Sequence, residues 1–105
     1  MLAAPDVMKR LDEVKIATAE ALHLSEADPN ASVVLVAVVR EFDAKAAKAT
    51  RQGGGDGAAR DAVIELEQAG DSAKAAAEAD PGLGAAALGA VQAAHLAICI
   101  LKTEV

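Results

Sequence analysis

Three breaks govern what this chain can become. Asp28-Pro29 and Asp80-Pro81 each set a proline after an aspartate, and Gly53-Gly54-Gly55-Asp56-Gly57 places four glycines in five positions near the middle. Proline disfavours helical backbone at the residue before it. Consecutive glycines lose too much backbone entropy to be held cheaply in a helix. The breaks leave four stretches, each about six helical turns long. Composition then selects helix over strand. Of 105 residues 53% are hydrophobic, half of these are alanine, and Phe42 is the only aromatic. Alanine is the strongest helix former and loses no side-chain entropy on ordering.

The expected architecture is all-α, a four-helix up-and-down bundle with helices at about 6–28, 29–51, 57–79 and 81–103. In the first, Pro5 suits an initial turn and Asp6 is a candidate cap. Val7, Leu11, Val14, Thr18, Ala21 and Ser25 recur every three or four residues, as one buried helix face requires. In the second, Asp28 is the expected N-cap and Pro29 the first helical residue. Its run from Val33 to Val39 is apolar on every face and, taken alone, would also suit a buried strand. It continues without a turn signal into Arg40–Lys48, which is strongly helical, and no second strand-like run exists to pair with it. Asp56 is the expected cap of the third helix, whose stripe is Ala59, Ala62, Val63, Leu66, Ala69, Gly70, Ala73 and Ala77; Gly70-Asp71-Ser72 is a potential split. The fourth is expected to start at Pro81.

The order helix, Glu-Ala-Asp-Pro, helix occurs twice, at Glu26–Pro29 and Glu78–Pro81, 52 residues apart. That admits a reading as two helical hairpins in tandem. At the same offset only Glu13/Glu65, Ala17/Ala69, Ala21/Ala73 and Val39/Val91 also agree, so two copies of a common start signal explain the match equally well.

Charge narrows function. The net charge is −6, and most of it lies in the second half, which carries three basic against eight acidic residues. Nucleic-acid binding needs clustered positive charge and is not expected. The lone Cys99 excludes an intrachain disulfide, and the first dozen residues hold no apolar run before their charges. The expected setting is cytoplasmic.

The segment from Leu83 to Leu101 holds 19 residues without a charge, close to the length of a bilayer span. Alanine, barely apolar, is its commonest residue, and Gln92 and His95 stand near its centre, both costly in lipid. Its small residues stand four apart, at Ala85/Gly89/Ala93 and Ala86/Ala90/Ala94, a spacing that lets helix backbones approach closely. A bundle helix buries one broad face, not its whole circumference. The apolar run from Val33 to Val39 and the segment from Leu83 to Leu101 therefore point to a homodimer. A membrane-associated fourth helix is the further alternative.

Few residues suggest chemistry. Glu20 and His23 form the Glu-x-x-His pattern of di-metal carboxylate bundles. A full site needs a second copy and further carboxylates, for which Glu41, Glu65 and His95 are weak candidates; at the corresponding pattern Gln92 replaces glutamate. His95 and Cys99, four apart, share a helix face and offer two ligands for zinc or copper, with no others near in sequence. A phosphate-accepting role for His95, as in histidine phosphotransfer domains, is disfavoured by Ile98 where those domains carry lysine. Asp28, Asn30 and Ser32 begin like a calcium loop, but Val33 and Val39 occupy its glycine and closing-glutamate positions. The glycine run lacks the Gly-Lys-Ser/Thr of a phosphate loop. No cofactor and no catalysis are expected. The sequence reads as a structural or protein–protein interaction module, with a metal-binding bundle or small enzyme as the alternative.

Overall fold

A computed structural model describes residues 2–52 and 58–105. Four helices form an all-α bundle: α1 (Ala4–Ala27), α2 (Val33–Gln52), α3 (Ala58–Ala79) and α4 (Ala85–Glu104). Among the described residues there is no strand, and the run from Val33 to Val39 lies within α2. The helices run up and down in a ring, α1 against α2 and α4, α3 against α2 and α4. The N–H of Leu2 donates to Glu104 O at 2.8 Å, so the start of α1 lies beside the end of α4. The bundle measures 41 × 20 × 17 Å.

The two hairpins repeat in register. Val33 and Ala85, Gln52 and Glu104, and Ala27 and Ala79 each stand 52 residues apart as helix ends. The five buried positions of α2, at Leu35, Val39, Phe42, Ala46 and Ala49, fall on those of α4, at Ala87, Val91, Ala94, Ile98 and Leu101. Leu11, Val14, Thr18, Ala21 and Ser25 of α1 likewise fall on Val63, Leu66, Gly70, Ala73 and Ala77 of α3, all buried. The repeat escapes a search for identity because it conserves burial and exchanges size. Phe42 stands where the second hairpin has Ala94, and Gly70 where the first has Thr18.

That exchange closes the core. A Cβ added to Gly70 would lie 3.0 Å from Phe42 Cζ, 3.2 Å from Cε1 and 3.4 Å from Ile98 Cγ2. The ring occupies the space a side chain at residue 70 would need. This is why Gly70-Asp71-Ser72 does not split α3: the glycine answers to packing, and the helix passes through it. The polar core positions are satisfied. The Thr18 hydroxyl lies 2.8 Å from Asp43 Oδ1, and Ser25 Oγ donates to Ala21 O at 2.7 Å.

Both Asp-Pro breaks end the preceding helix as expected, but neither starts the next. α2 begins at Val33 instead of Asp28-Pro29, and α4 at Ala85 instead of Pro81. The aspartates are engaged elsewhere. Asp28 Oδ1 accepts from Asn30 N–H at 2.9 Å, and Asp80 Oδ1 from Gly82 N–H at 3.0 Å. Their other oxygens cross between hairpins. Asp28 Oδ2 accepts from Gly84 N–H at 2.7 Å, and Asp80 Oδ2 from Ser32 N–H at 2.9 Å. Each aspartate thus closes its own turn and holds the other. Ser32 Oγ caps α2 by accepting from Leu35 N–H at 3.0 Å, whereas Gly84, at the start of α4, offers no side-chain cap. Gly82 permits the approach of the two turns, since a Cβ there would lie 2.6 Å from Asn30 O. At the other end, α1 starts after Ala3 with Pro5 and Asp6 in its first turn, so Asp6 complements the helix dipole without capping. The expected glycine break and Asp56 cap fall at residues 53–57, outside the described residues.

Gly70→Ala should destabilise the protein by about 1 kcal/mol or more, because overpacking of a buried ring exceeds the helix-propensity gain. Combining it with Phe42→Leu should cost less than the sum of the single changes, as a double-mutant cycle by chemical denaturation would show. The N–H groups of Ser32 and Gly82 hold the Asp80 carboxyl below its usual range. A depressed folded-state pKa stabilises above the ordinary carboxylate range, and the effect is lost as pH falls through the folded value. Asp80→Asn should lower the thermal midpoint at neutral pH and flatten its decline toward acid.

Candidate functional site

Helix α4 sets a third requirement on its sequence beyond a core face. On the seam with α3, the residues of α4 that flank the core are Gln92, His95, Cys99 and Lys102. Opposite them α3 presents Glu78, Lys74, Asp71 and Glu67. Three contacts along this seam, one of them within α3, are ordinary surface pairing. Gln92 Nε2 donates to Glu78 Oε2 at 3.2 Å, Lys74 pairs with Glu78 at 3.0 Å, and Lys102 pairs with Glu67 at 3.0 Å.

The middle of the seam is different. His95 Nε2 lies 2.7 Å from Asp71 Oδ1 and 3.4 Å from Cys99 Sγ, with Nδ1 3.9 Å from the same sulfur. The imidazole is largely buried at 17% side-chain exposure, while the Asp71 side chain is 59% exposed. Oxygen, nitrogen and sulfur donors thus meet at one point, all within 4.8 Å of one another. Burial pushes the Cys99 thiol up from its ordinary pKa, and the nearby charges of Glu67 and Asp71 add to the effect. The same nitrogen faces both neighbours. In a nucleophilic relay the acid and the thiol use opposite ring nitrogens, so this arrangement is not organised for thiol catalysis.

The first hairpin closes its seam otherwise. Residues 19, 43 and 47, equivalent to 71, 95 and 99, are Ala19, Asp43 and Ala47. There Lys15 pairs with Asp43 at 2.9 Å beside the Thr18 hydroxyl. Packing of the hairpin therefore does not require the Asp-His-Cys cluster.

Of the residues proposed from sequence, the structure brings together only His95 and Cys99. Glu20, His23 and Glu41 are exposed. Glu41 pairs along its own helix with Lys45 at 3.6 Å, and Glu65 is held by Lys45 and Lys48, which keep its carboxyl below the usual range. Among the described residues, no di-metal constellation of Glu20, His23, Glu41 and Glu65 assembles. The third member, Asp71, is not among the residues proposed from sequence, where it figures only in the potential Gly70-Asp71-Ser72 split. Its signal was the antiparallel level of α3 and α4, visible only once both helices and the Asp80 turn are placed.

The outward side of α4, opposite its core positions, carries Ala85, Gly89, Ala93, Leu96, Ile100 and Thr103, all exposed. Leu96 is 60% and Ile100 44% exposed, and a Cβ at Gly89 would meet nothing within 4 Å. This face bears no charge. The outward side of α2 differs: after exposed Val33, Val34 and Ala37 come Arg40, Glu41 and Ala44. Helix α4 is also long and apolar enough to cross a membrane by length and composition, with a mean hydropathy of 1.6.

Comparison with known proteins finds no matching family model, no matching curated protein and no matching solved structure.

Reactivity should reflect the raised thiol pKa. Alkylation of Cys99 in metal-free protein is expected to be slow at neutral pH and to accelerate only above the ordinary thiol range. A rate that already plateaus at neutral pH would contradict the burial and charge environment described. Mass-spectrometric labelling against pH measures it.

Proposed function

We propose that this chain is a small cytoplasmic interaction module that self-associates through the outward face of α4. The observation that carries the reading is that face itself, with Leu96 and Ile100 exposed on a helix side that has no charge. Contiguous exposed apolar surface of this kind marks an interaction site. Its occupant is a second copy of the chain. A face without charge offers no ion-pairing partner a reason to bind, and the small residues at Ala85, Gly89 and Ala93 let two identical helices cross with backbones close together. Such an isologous contact is self-complementary by symmetry. The net charge of −6 would be kept on the remaining surfaces, where it limits further growth of the assembly. The first turn of α2, with Val33 and Val34 exposed, adds a smaller apolar surface at the end of the bundle that holds the two Asp-Pro turns.

Sedimentation equilibrium tests the reading. A dimer is expected at micromolar concentration, and Leu96→Glu with Ile100→Lys should shift it to monomer, raising the dissociation constant at least about tenfold, with helicity unchanged. A wild-type chain that stays monomeric at tens of micromolar would overturn it. So would flotation of the purified protein with neutral lipid vesicles, which would assign the face to a membrane surface.

A further inference from the structure

Among the described residues, the α3–α4 seam alone gathers oxygen, nitrogen and sulfur donors at one point. We propose that Asp71, His95 and Cys99 form a mononuclear site for a zinc-type divalent cation, open at its fourth position to water. This inference is independent of self-association, because the three residues lie on the seam and not on the outward face.

Chemistry selects the cation. Thiolate, imidazole and carboxylate together are the donor set of zinc, which accepts all three in tetrahedral geometry; magnesium and calcium take oxygen ligands and reject sulfur. Geometry agrees with that choice. With zinc bond lengths of about 2.0–2.3 Å, neighbouring ligand atoms of a tetrahedron stand about 3.3–3.6 Å apart. The His95 Nε2 to Cys99 Sγ separation is already 3.4 Å. Asp71 Oδ1, at 2.7 Å from Nε2, is in hydrogen-bonding position and must withdraw by about half an ångström to become a ligand. Its exposed side chain, on the surface of α3, has room to do so.

The backbone holds the other two in place. His95 and Cys99 stand one turn apart on a continuous helix, so their relative position is set by helix geometry. Asp71 is fixed from the facing helix, whose register Phe42 and Ile98 set against Gly70, its immediate neighbour. The site thus needs the folded hairpin, and binding would tie α3 to α4. On binding, the Cys99 thiol loses its proton to solvent as the sulfur–metal bond forms. The hydrogen that Nε2 of His95 shares with Asp71 is given up to solvent while Nδ1 takes one from solvent, so that neutral imidazole offers its Nε2 lone pair to the cation, and Asp71 contributes one carboxylate oxygen. The Glu67–Lys102 pair lies one turn further along both helices, and the Asp71 side chain itself is exposed. Three protein ligands and one water is the open arrangement of exchangeable or catalytic zinc rather than the closed arrangement of a purely structural ion.

The test uses the full chain, freed of metal and titrated with Zn2+ by calorimetry and with Co2+ by absorption. One ion per chain is expected. The Co2+ form should show intense tetrahedral visible bands and a near-ultraviolet thiolate charge-transfer band. Cys99→Ser should abolish the charge-transfer band, and His95→Gln should weaken binding by at least about 100-fold. Asp71→Asn should weaken it about tenfold, while His23→Gln should leave it unchanged. In unmodified protein, Zn2+ should protect Cys99 from alkylation with the same midpoint as binding, a readout that needs no variant to fold. Weak pink octahedral Co2+ without charge transfer, binding that survives Cys99→Ser and His95→Gln, or unprotected Cys99 at saturating Zn2+ would overturn the site.

Discussion

The packing of Phe42 against Gly70 is the contact on which the rest of the bundle depends. A core drawn mostly from alanine and valine encloses little apolar surface per residue, so it closes only if every large side chain meets a gap of its own size. Phe42 is fully buried and is the only aromatic. Its ring reaches α3 where the backbone offers no side chain, and Ile98 of α4 closes on the same glycine. One point therefore sets the height of three helices. Shifting both positions by 52 residues exchanges the sizes: Thr18 of α1 stands where α3 has Gly70, and Ala94 of α4 where α2 has Phe42, all four buried. The hairpins repeat in position and compensate in volume, and packing density is what demands the compensation.

The turn end is fastened by electrostatics of the same two-fold kind. Asp28 and Asp80 each hold a backbone N–H of their own turn and one of the opposite turn. Such charge-assisted bonds are stronger than neutral ones, and here they also fix direction: the turns approach until Gly82 meets Asn30, closer than any other residue would allow. Displacing the starts of α2 and α4 by several residues is the consequence. An aspartate that bridges two hairpins is no longer available to cap one helix.

Helix α4 then carries more than a core. One side fills the bundle, one closes the seam with α3, and one faces outward without charge. These assignments are the basis for proposing self-association and a cation site on different sides of one helix. The composition of α4, in which alanine is the commonest residue and His95 and Cys99 stand among apolar ones, satisfies all three demands at once, since small residues pack closely wherever they are placed and leave polar specificity to a few positions.

Much of the fold was legible in the residues. Proline and glycine act on the backbone at their own positions, and helical periodicity is a local property, so four helices, their ends at Ala27 and Ala79, and the stripes through Leu11 and Leu66 follow from the chain itself, whereas the core faces of the oily α2 and α4 emerge only from packing. His95 and Cys99 were legible as a pair for the same reason, being one turn apart. What required tertiary structure has partners far along the chain: Asp71 and His95 are 24 residues apart, Ser32 and Asp80 are 48, and Asp28 and Gly84 are 56. Which residue stands level with which across two hairpins depends on how side-chain volumes interlock, and local propensity does not encode that. Local chemistry along the chain is enough for an alanine-rich four-helix protein with three breaks. Tertiary packing decided that the breaks bind each other, that Gly70 is a socket for Phe42, and that an aspartate from α3 joins the histidine and cysteine of α4.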